Sequence, residues 1–263
     1  LDEVLDLGHA RQVFPDADVF PSLLVAECPS ERPAPADVRA CIIPRDVLRT
    51  EQLASQITTG AYRIARTKFG AEAWTLDPPV VGTLTGKLRA IGVPLPEFVG
   101  VEPQYGVKTG LNEAFLIDDA TRALLTREDP RSAEIIKPCL RGQEIDRWAP
   151  DAGGEWMIFA RRGIDIEAYP AVARHLAQFR ARLEPRPADW QPSSPDEKWP
   201  GRKAGRYAWY EIQDSVDYFA SFEGPKLVHT DIAWAPRFAF APEPLYPLNT
   251  VYVWPTADLY VLG

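Results

Sequence analysis

Twenty-six prolines, scattered along 263 residues rather than gathered in one tract, limit how far any helix in this chain can run. Inside a helix a proline removes a main-chain hydrogen bond and clashes with the preceding turn; inside a central strand it removes a ladder bond. The chain should therefore consist of short elements joined by many ordered connections, sheet-rich, with few long helices. A hydrophobic content of 46% against 25% charged residues is that of a chain with a core to bury, not of a disordered arm. The length suits one large domain or two unequal ones.

The charge balance narrows the partners. With 29 basic and 37 acidic residues the formal net charge is -8, so any surface for nucleic acid has to be local, because indiscriminate phosphate binding shows as an overall basic excess. Cys28, Cys41 and Cys139 are far apart and lack a CxxC spacing, which indicates neither a disulfide framework nor a zinc site and fits a reducing cytoplasm. No apolar run reaches bilayer length, so no membrane partner is expected, and Leu1-Asp2-Glu3-Val4 is not a basic signal-peptide start. The chain has no initiator methionine, and Leu259-Tyr260-Val261-Leu262-Gly263 reads as an element cut in mid-course. Both features suggest a piece of a longer protein.

Along the chain, the apolar runs 19–26 and 38–43, separated by Pro29, Pro33 and Pro35, predict two buried strands. Val47, Leu48, Leu53 and Ile57 are spaced for a helix over 45–57, and a second helix is expected over 81–91. From about Val101 the texture changes to strand-length runs such as Ala114–Ile117, where a new domain would begin. Val172, Leu176, Phe179 and Leu183 form an apolar stripe predicting a helix over 169–183, with Pro170 in its first turn and Pro185 and Pro187 ending it. The stretch 185–208 is rich in Pro, Trp and basic residues. Strands are expected at 226–229, 238–240 and 250–254, and there is no internal repeat.

Several stretches imitate catalytic motifs. Asp77-Pro78-Pro79-Val80 has the outline of an amino-methyltransferase motif, but Val80 cannot provide the ring that stacks on a flipped base, and no Gly-rich cofactor loop precedes it. The favoured reading is a rigid turn before the 81–91 helix. Gly82-Thr83-Leu84-Thr85-Gly86-Lys87-Leu88 is one residue short of a phosphate loop, and Leu88 replaces the metal-binding hydroxyl. His9, His175 and His229 have no metal-ligand spacing, and His229-Thr230-Asp231 has no nucleophile motif beside it. No catalytic residue and no metal site is therefore assigned, and the chain itself is expected to be non-catalytic.

Gly106-Val107-Lys108-Thr109-Gly110-Leu111-Asn112-Glu113-Ala114-Phe115 is of another kind: two glycines frame a Lys-Thr pair. Such a loop brings main-chain N–H groups, an ammonium and a hydroxyl to a phosphate, or is simply a tight turn; composition leaves the two level. In the next block, Glu134-Ile135-Ile136-Lys137-Pro138-Cys139-Leu140-Arg141-Gly142-Gln143-Glu144-Ile145-Asp146-Arg147-Trp148, basic residues punctuate an apolar run.

Together these blocks resemble the specificity domain of TaqI-like and Eco57I-like adenine-specific DNA methyltransferases, including type IIG restriction enzymes and related phage-defence methyltransferases. That family has Gly-x-Lys-Thr-Gly-x-Asn-x-Ala-Phe followed by Ile-Ile-Lys-Pro-x-Leu-Arg-Gly-x-Asp-Ile. This chain departs with Cys139 at the variable position and Glu144 for the Asp. The likeness continues through Tyr169-Pro170 with His175-Leu176, through Tyr207–Gln213 and through Phe222–Val228. It covers 74–263, while 13–25 resembles the last strands of the methyltransferase domain.

The resemblance implies an α+β, sheet-rich DNA target-recognition domain over 74–263, with a few helices. Before it, 1–73 would be the closing edge of an α/β methyltransferase domain and a connector. The partner would be double-stranded DNA, read opposite a methyltransferase domain of the same protein that flips an adenine and methylates N6. S-adenosylmethionine is expected for that parent enzyme and no cofactor for this part; type IIG members add a nuclease. Lys108, Thr109, Lys137 and Arg141 are the candidates for positioning the backbone, Trp199, Arg202, Lys203 and Arg206 for reading bases, and Asn112 is a further DNA-binding candidate. Against this, Lys137 and Arg141 could pair with Glu134 and Glu144, 185–208 could be a solvated loop, and Trp148, Trp156, Trp209 and Trp234 are favoured as core. The reading from a different class is a protein-interaction or scaffold domain whose Pro- and Trp-rich surface binds another subunit.

Overall fold

A computed structural model describes residues 1–8, 13–14, 20–28, 33–44, 46–233 and 235–262. His9, Trp234 and most of the 13–19 part of the methyltransferase-like stretch lie outside them. The described chain forms two compact units, Leu1–Val93 and Pro94–Gly263.

The first unit is a four-stranded sheet in the order β2-β1-β3-β4, made of β1 (Glu3–Asp6), β2 (Ser22–Val25), β3 (Asp37–Ile42) and β4 (Tyr62–Ala65). β1 and β3 are parallel, and the outer pairs antiparallel. Both expected strands are present, but only β3 is buried. β2 is exposed along its whole length because β1 stands between it and β3, leaving it at the sheet edge. A small core of Leu5, Leu7, Cys41, Ile43 and Leu48 is covered by α1 (Leu53–Gly60). The helix expected over 45–57 starts late because Leu48 is buried in a turn closed on the Pro44 carbonyl and Arg49 is extended. α2 (Pro79–Ile91) has Pro79 in its first turn, so the phosphate-loop look-alike at 82–88 lies inside a helix. Its Val80, Val81, Leu84, Leu88 and Ile91 are exposed.

The second unit opens with α3 (Leu95–Val99) and β5 (Gln104–Tyr105), then α4 (Asn112–Phe115), β6 (Leu116–Ile117) and α5 (Asp119–Glu128). The strand expected at Ala114–Ile117 is thus halved: a single helical turn rotates Ala114 and Phe115 into the core, and β6 begins only at Leu116. Asp118 caps the N-terminus of α5, accepting from the Thr121 N–H at 2.8 Å. β7 (Ile136–Leu140) and β8 (Trp156–Ile158) form the centre of one sheet, with β6 on the outer side of β8 and the short strand at Tyr246–Pro247 on the outer side of β7. The expected 169–183 helix is two: α6 (Pro170–Ala177) and α7 (Arg180–Leu183). It breaks where Phe179 N–H bonds back only three residues, to Leu176 O at 3.0 Å, although Val172, Leu176 and Leu183 are buried as the stripe requires.

β9 (Lys226–Thr230), β10 (Phe238–Ala241), β11 (Tyr246–Pro247) and β12 (Val251–Trp254) complete the unit, with a second, antiparallel sheet in the order β10-β9-β12-β5. The architecture is α+β and sheet-rich, as expected. Val228, Ala239, Val251 and Val253 turn inward to join Phe115, Leu140, Met157, Ile158 and Phe222 in one core. On the outer face Phe238, His229, Tyr252 and Tyr105 stand in register across all four strands, with ring centroids 4.9, 5.1 and 4.4 Å apart. His229 is thus one member of an aromatic ladder, and His175 bonds the Ala114 carbonyl at 3.1 Å, its pKa lowered by burial. Among the described residues no three His, Cys, Asp or Glu side chains gather as metal ligands, and no helix is long and apolar enough to cross a membrane.

Candidate nucleic-acid interface

The 106–112 loop is shaped first by the protein around it. Gly106 lies against the turn after β11, where a Cβ would stand 2.7 Å from the Pro247 carbonyl oxygen. Gly110 has φ +84, and a Cβ there would come within 2.7 Å of Arg202 Cδ and 2.9 Å of Gln213 Cβ. Between them Thr109 is 1% exposed, and its hydroxyl donates to Asn112 Oδ1 at 2.7 Å. The hydroxyl is therefore held inside, and Lys108 is the member of the pair presented outward.

Arg202 is what holds this loop. It is 4% exposed, and all its donors end on main-chain carbonyls: Nε on Leu183 O at 2.8 Å, Nη1 on Thr109 O and Glu211 O at 2.9 and 2.7 Å, Nη2 on Ala208 O and Trp209 O at 3.3 and 2.9 Å. Its guanidinium also lies 4.5 Å from the Tyr207 ring centroid. Burial lowers its pKa to about 10. In this conformation it has no donor left for a base edge; it ties the end of α7, the 106–110 loop and the 208–211 turn together.

What this knot presents is a concavity of about 320 Å³ lined by Lys108, Arg162, Lys203, Arg206, Tyr207, Gln213 and Asp214. Arg162 is anchored, donating to Ile212 O at 2.6 Å and Gln213 O at 2.5 Å and lying 4.9 Å from the Tyr207 centroid. The Tyr207 hydroxyl donates to the Lys203 carbonyl and fixes the 203–207 turn. Lys108, Lys203 and Arg206 have no carboxylate partner among the described residues. Three of the expected positions thus converge, and Arg162 joins them. Arg161-Arg162 ahead of Gly163, which has φ +76, was the available signal for it.

The other expected residues are elsewhere. Lys137 pairs with Glu223 at 3.0 Å and lies 5.5 Å from the Tyr246 centroid; the Tyr246 hydroxyl, then Lys137, hold the Glu223 carboxyl below its usual range. Arg141 grips Glu155 with two bonds of 2.6 and 2.7 Å, while its main-chain N–H donates to Glu144. The expected partners Glu134 and Glu144 are thus replaced by Glu223 and Glu155. Trp199 is half-buried, donating to Glu184 O at 3.1 Å and packed edge-on to Trp190 at 5.8 Å. Asn112 and Arg141 line a separate cleft of about 470 Å³ with Gln143, Thr230, Asp231, Arg237 and Asn249. In the first unit a cleft of about 520 Å³ holds Arg63, Lys68 and Arg89 beside Asp77.

Of the tryptophans favoured as core, Trp156 and Trp209 are half-buried and pack on it. Trp148 is not core: it is 52% exposed and sits at a left-handed backbone position.

No protein-family model matches the chain, and no curated protein does. Among solved structures, the type IIL restriction-modification enzyme MmeI in complex with DNA aligns with a TM-score of 0.48 at 13% identity, covering 100% of this chain. The chain spans about 30% of the length of that structure.

Proposed function

We propose that the second unit reads duplex DNA as the target-recognition part of an adenine-N6 methyltransferase of the restriction–modification type. The observation that carries this is the convergence of Lys108, Lys203 and Arg206, without carboxylate partners, on one concavity in a chain of net charge -8. Several other cations of the same unit, Lys137, Arg141, Arg174, Arg180 and Arg182, are each held by a carboxylate. Like charges left together repel, and the arrangement is repaid when a polyanion supplies the missing charge. Lys108 belongs to the family-like Gly106–Phe115 block, which is why DNA is assigned here and not to the cleft beside Asp77.

In this reading Lys108, Lys203 and Arg206 position phosphates, with Arg162 as the fixed base of the site, and Asn112 and Arg141 border a second, amide-rich cleft that faces base edges. Thr109 and Arg202 act through the shape of the loop. S-adenosylmethionine is assigned to the parent's catalytic domain: no Gly-rich cofactor loop precedes Asp77-Pro78-Pro79-Val80, which runs directly into α2 and, with Val80, offers no ring for a flipped base. The exposed apolar residues of α2 are assigned to packing against that domain, in the type IIG and phage-defence context that the sequence blocks suggest.

The test is duplex binding across a salt series. Phosphate contacts release counterions, at about 0.9 in log–log slope for each, so replacing Lys108, Lys203 and Arg206 by Ala should flatten the slope by about 2–3 and weaken binding to all sequences alike. Binding without a salt slope, or a slope unchanged in the triple variant, overturns the proposal.

A further inference from the structure

Beyond β7 the chain makes a 3-10 turn at Gly142–Glu144, buries Ile145 completely, bridges Ile145 to Pro150 and returns with Asp151 N–H on Glu144 O at 2.8 Å. Residues 146–149, between the two clamps, are all exposed. At their apex Trp148 has φ +81, the one left-handed residue other than glycine among the described residues. The conformation is imposed from both sides: Trp148 N–H donates to Phe238 O at 3.0 Å, and Phe240 N–H donates to Trp148 O at 3.0 Å, so the residue is docked on the edge of β10. A bulky side chain at positive φ is strained, and exposing an indole forfeits its burial. Glycine would relieve the first cost and any polar residue the second. About half of the side chain is left in solvent, and the Arg147 guanidinium lies 5.3 Å from the ring centroid.

The same backbone bonds tie the Trp148 loop to segments that line the cleft of about 470 Å³ in this unit. Arg237, which lines it, immediately precedes Phe238, and Gln143, also lining it, opens the loop that carries Trp148. Asn112, Gln143 and Asn249 supply amides there, and Arg237 a guanidinium, the groups that pair with base edges. The neighbours in sequence at the apex, Asp146, Arg147 and Ala149, are charged or small.

We propose that Trp148 is a nucleobase-stacking residue. On DNA its indole lies on the face of a base, in an opened or kinked step, with Arg147 toward the flanking phosphate and the amides of the cleft toward base edges. This rests on the DNA-reading role above and adds to it a non-ionic contact that the basic concavity does not provide. Backbone strain and an exposed ring are then explained together, since the loop holds the indole ready where it can meet a base.

The test compares Trp148→Gly and Trp148→Phe with the wild-type chain, by urea denaturation and by duplex binding over the same salt series. Trp148→Gly should be at least as stable as wild type, because the strained φ is relieved, yet bind DNA about tenfold to hundredfold more weakly with the salt slope unchanged. Trp148→Phe should retain affinity within a few-fold. A destabilised Trp148→Gly, or one that binds as tightly as wild type while the Lys108/Lys203/Arg206 triple variant is impaired, overturns the stacking role and leaves DNA reading intact. If the wild-type chain binds no duplex at low salt even with the methyltransferase part restored, the DNA-reading role fails and the stacking role with it.

Discussion

Replacing Arg202 by methionine keeps most of the length of the side chain and removes every donor. Five carbonyl oxygens lose a bond. Two keep another partner, since Thr109 O also accepts from Gln213 N–H at 3.2 Å and Ala208 O from Glu211 N–H at 3.0 Å. Leu183 O, Trp209 O and Glu211 O are left without one. At about 1–3 kcal/mol for each unsatisfied buried group the loss is about 6 kcal/mol. Against it stands the relief of a charge no longer held out of water: a pKa lowered from 12.5 to about 10 corresponds to about 3 kcal/mol. The net expectation is a destabilisation of about 3 kcal/mol, or roughly 6–12 °C in Tm for a domain of this size. Urea denaturation followed by tryptophan fluorescence reads it, with Trp199 and Trp209 reporting on the second unit. Arg202→Lys should also be destabilised, because an ammonium is a point donor and cannot span carbonyls arranged around a planar fork. A stability of Arg202→Met within about 0.5 kcal/mol of wild type, the range of an ordinary surface change, would refute the reasoning and return Arg202 to the base-reading residues. So would a wild-type-like Arg202→Lys.

Gly110→Ala should cost about 1–3 kcal/mol from φ alone and more from its approach to Arg202 Cδ; an unchanged urea midpoint would show that the loop adjusts freely. Lys226, fully buried with its ammonium on Gly224 O and Glu243 O at 2.7 and 2.9 Å, has its pKa lowered to about 8 by burial. Between about 8 and its ordinary 10.5 the unfolded chain holds a proton that the folded one has released, so stability rises with pH across that window. Wild type should therefore gain stability relative to Lys226→Met as pH is raised through it, and a flat or falling difference in denaturation midpoints would contradict the assignment.

The parts of the fold legible in the sequence are those decided locally. Prolines excluded long helices, strand-length apolar runs marked β9, β10 and β12, and Pro170 marked the start of α6, whereas α2 begins at Pro79, inside what the sequence suggested was a turn before the helix. The elements misread are those that tertiary contacts override: Ala114 and Phe115 complete a helical turn because the core takes the ring, and β2 is exposed because β1 took the inner position.

For the candidate site the division is sharper. The sequence by itself named Lys108, Lys203 and Arg206 and showed that the nearest catalytic look-alikes lack a required side chain. It could not tell a free cation from a committed one. Lys137 meets Glu223, Arg141 meets Glu155, and Arg202 collects carbonyls from positions 109, 183, 208, 209 and 211. Trp148 was indistinguishable from a core tryptophan until β10 fixed its backbone at positive φ. The sequence records which charges and rings the chain has, but their pairing and burial depend on distances between residues far apart along it, and only the packed structure sets those.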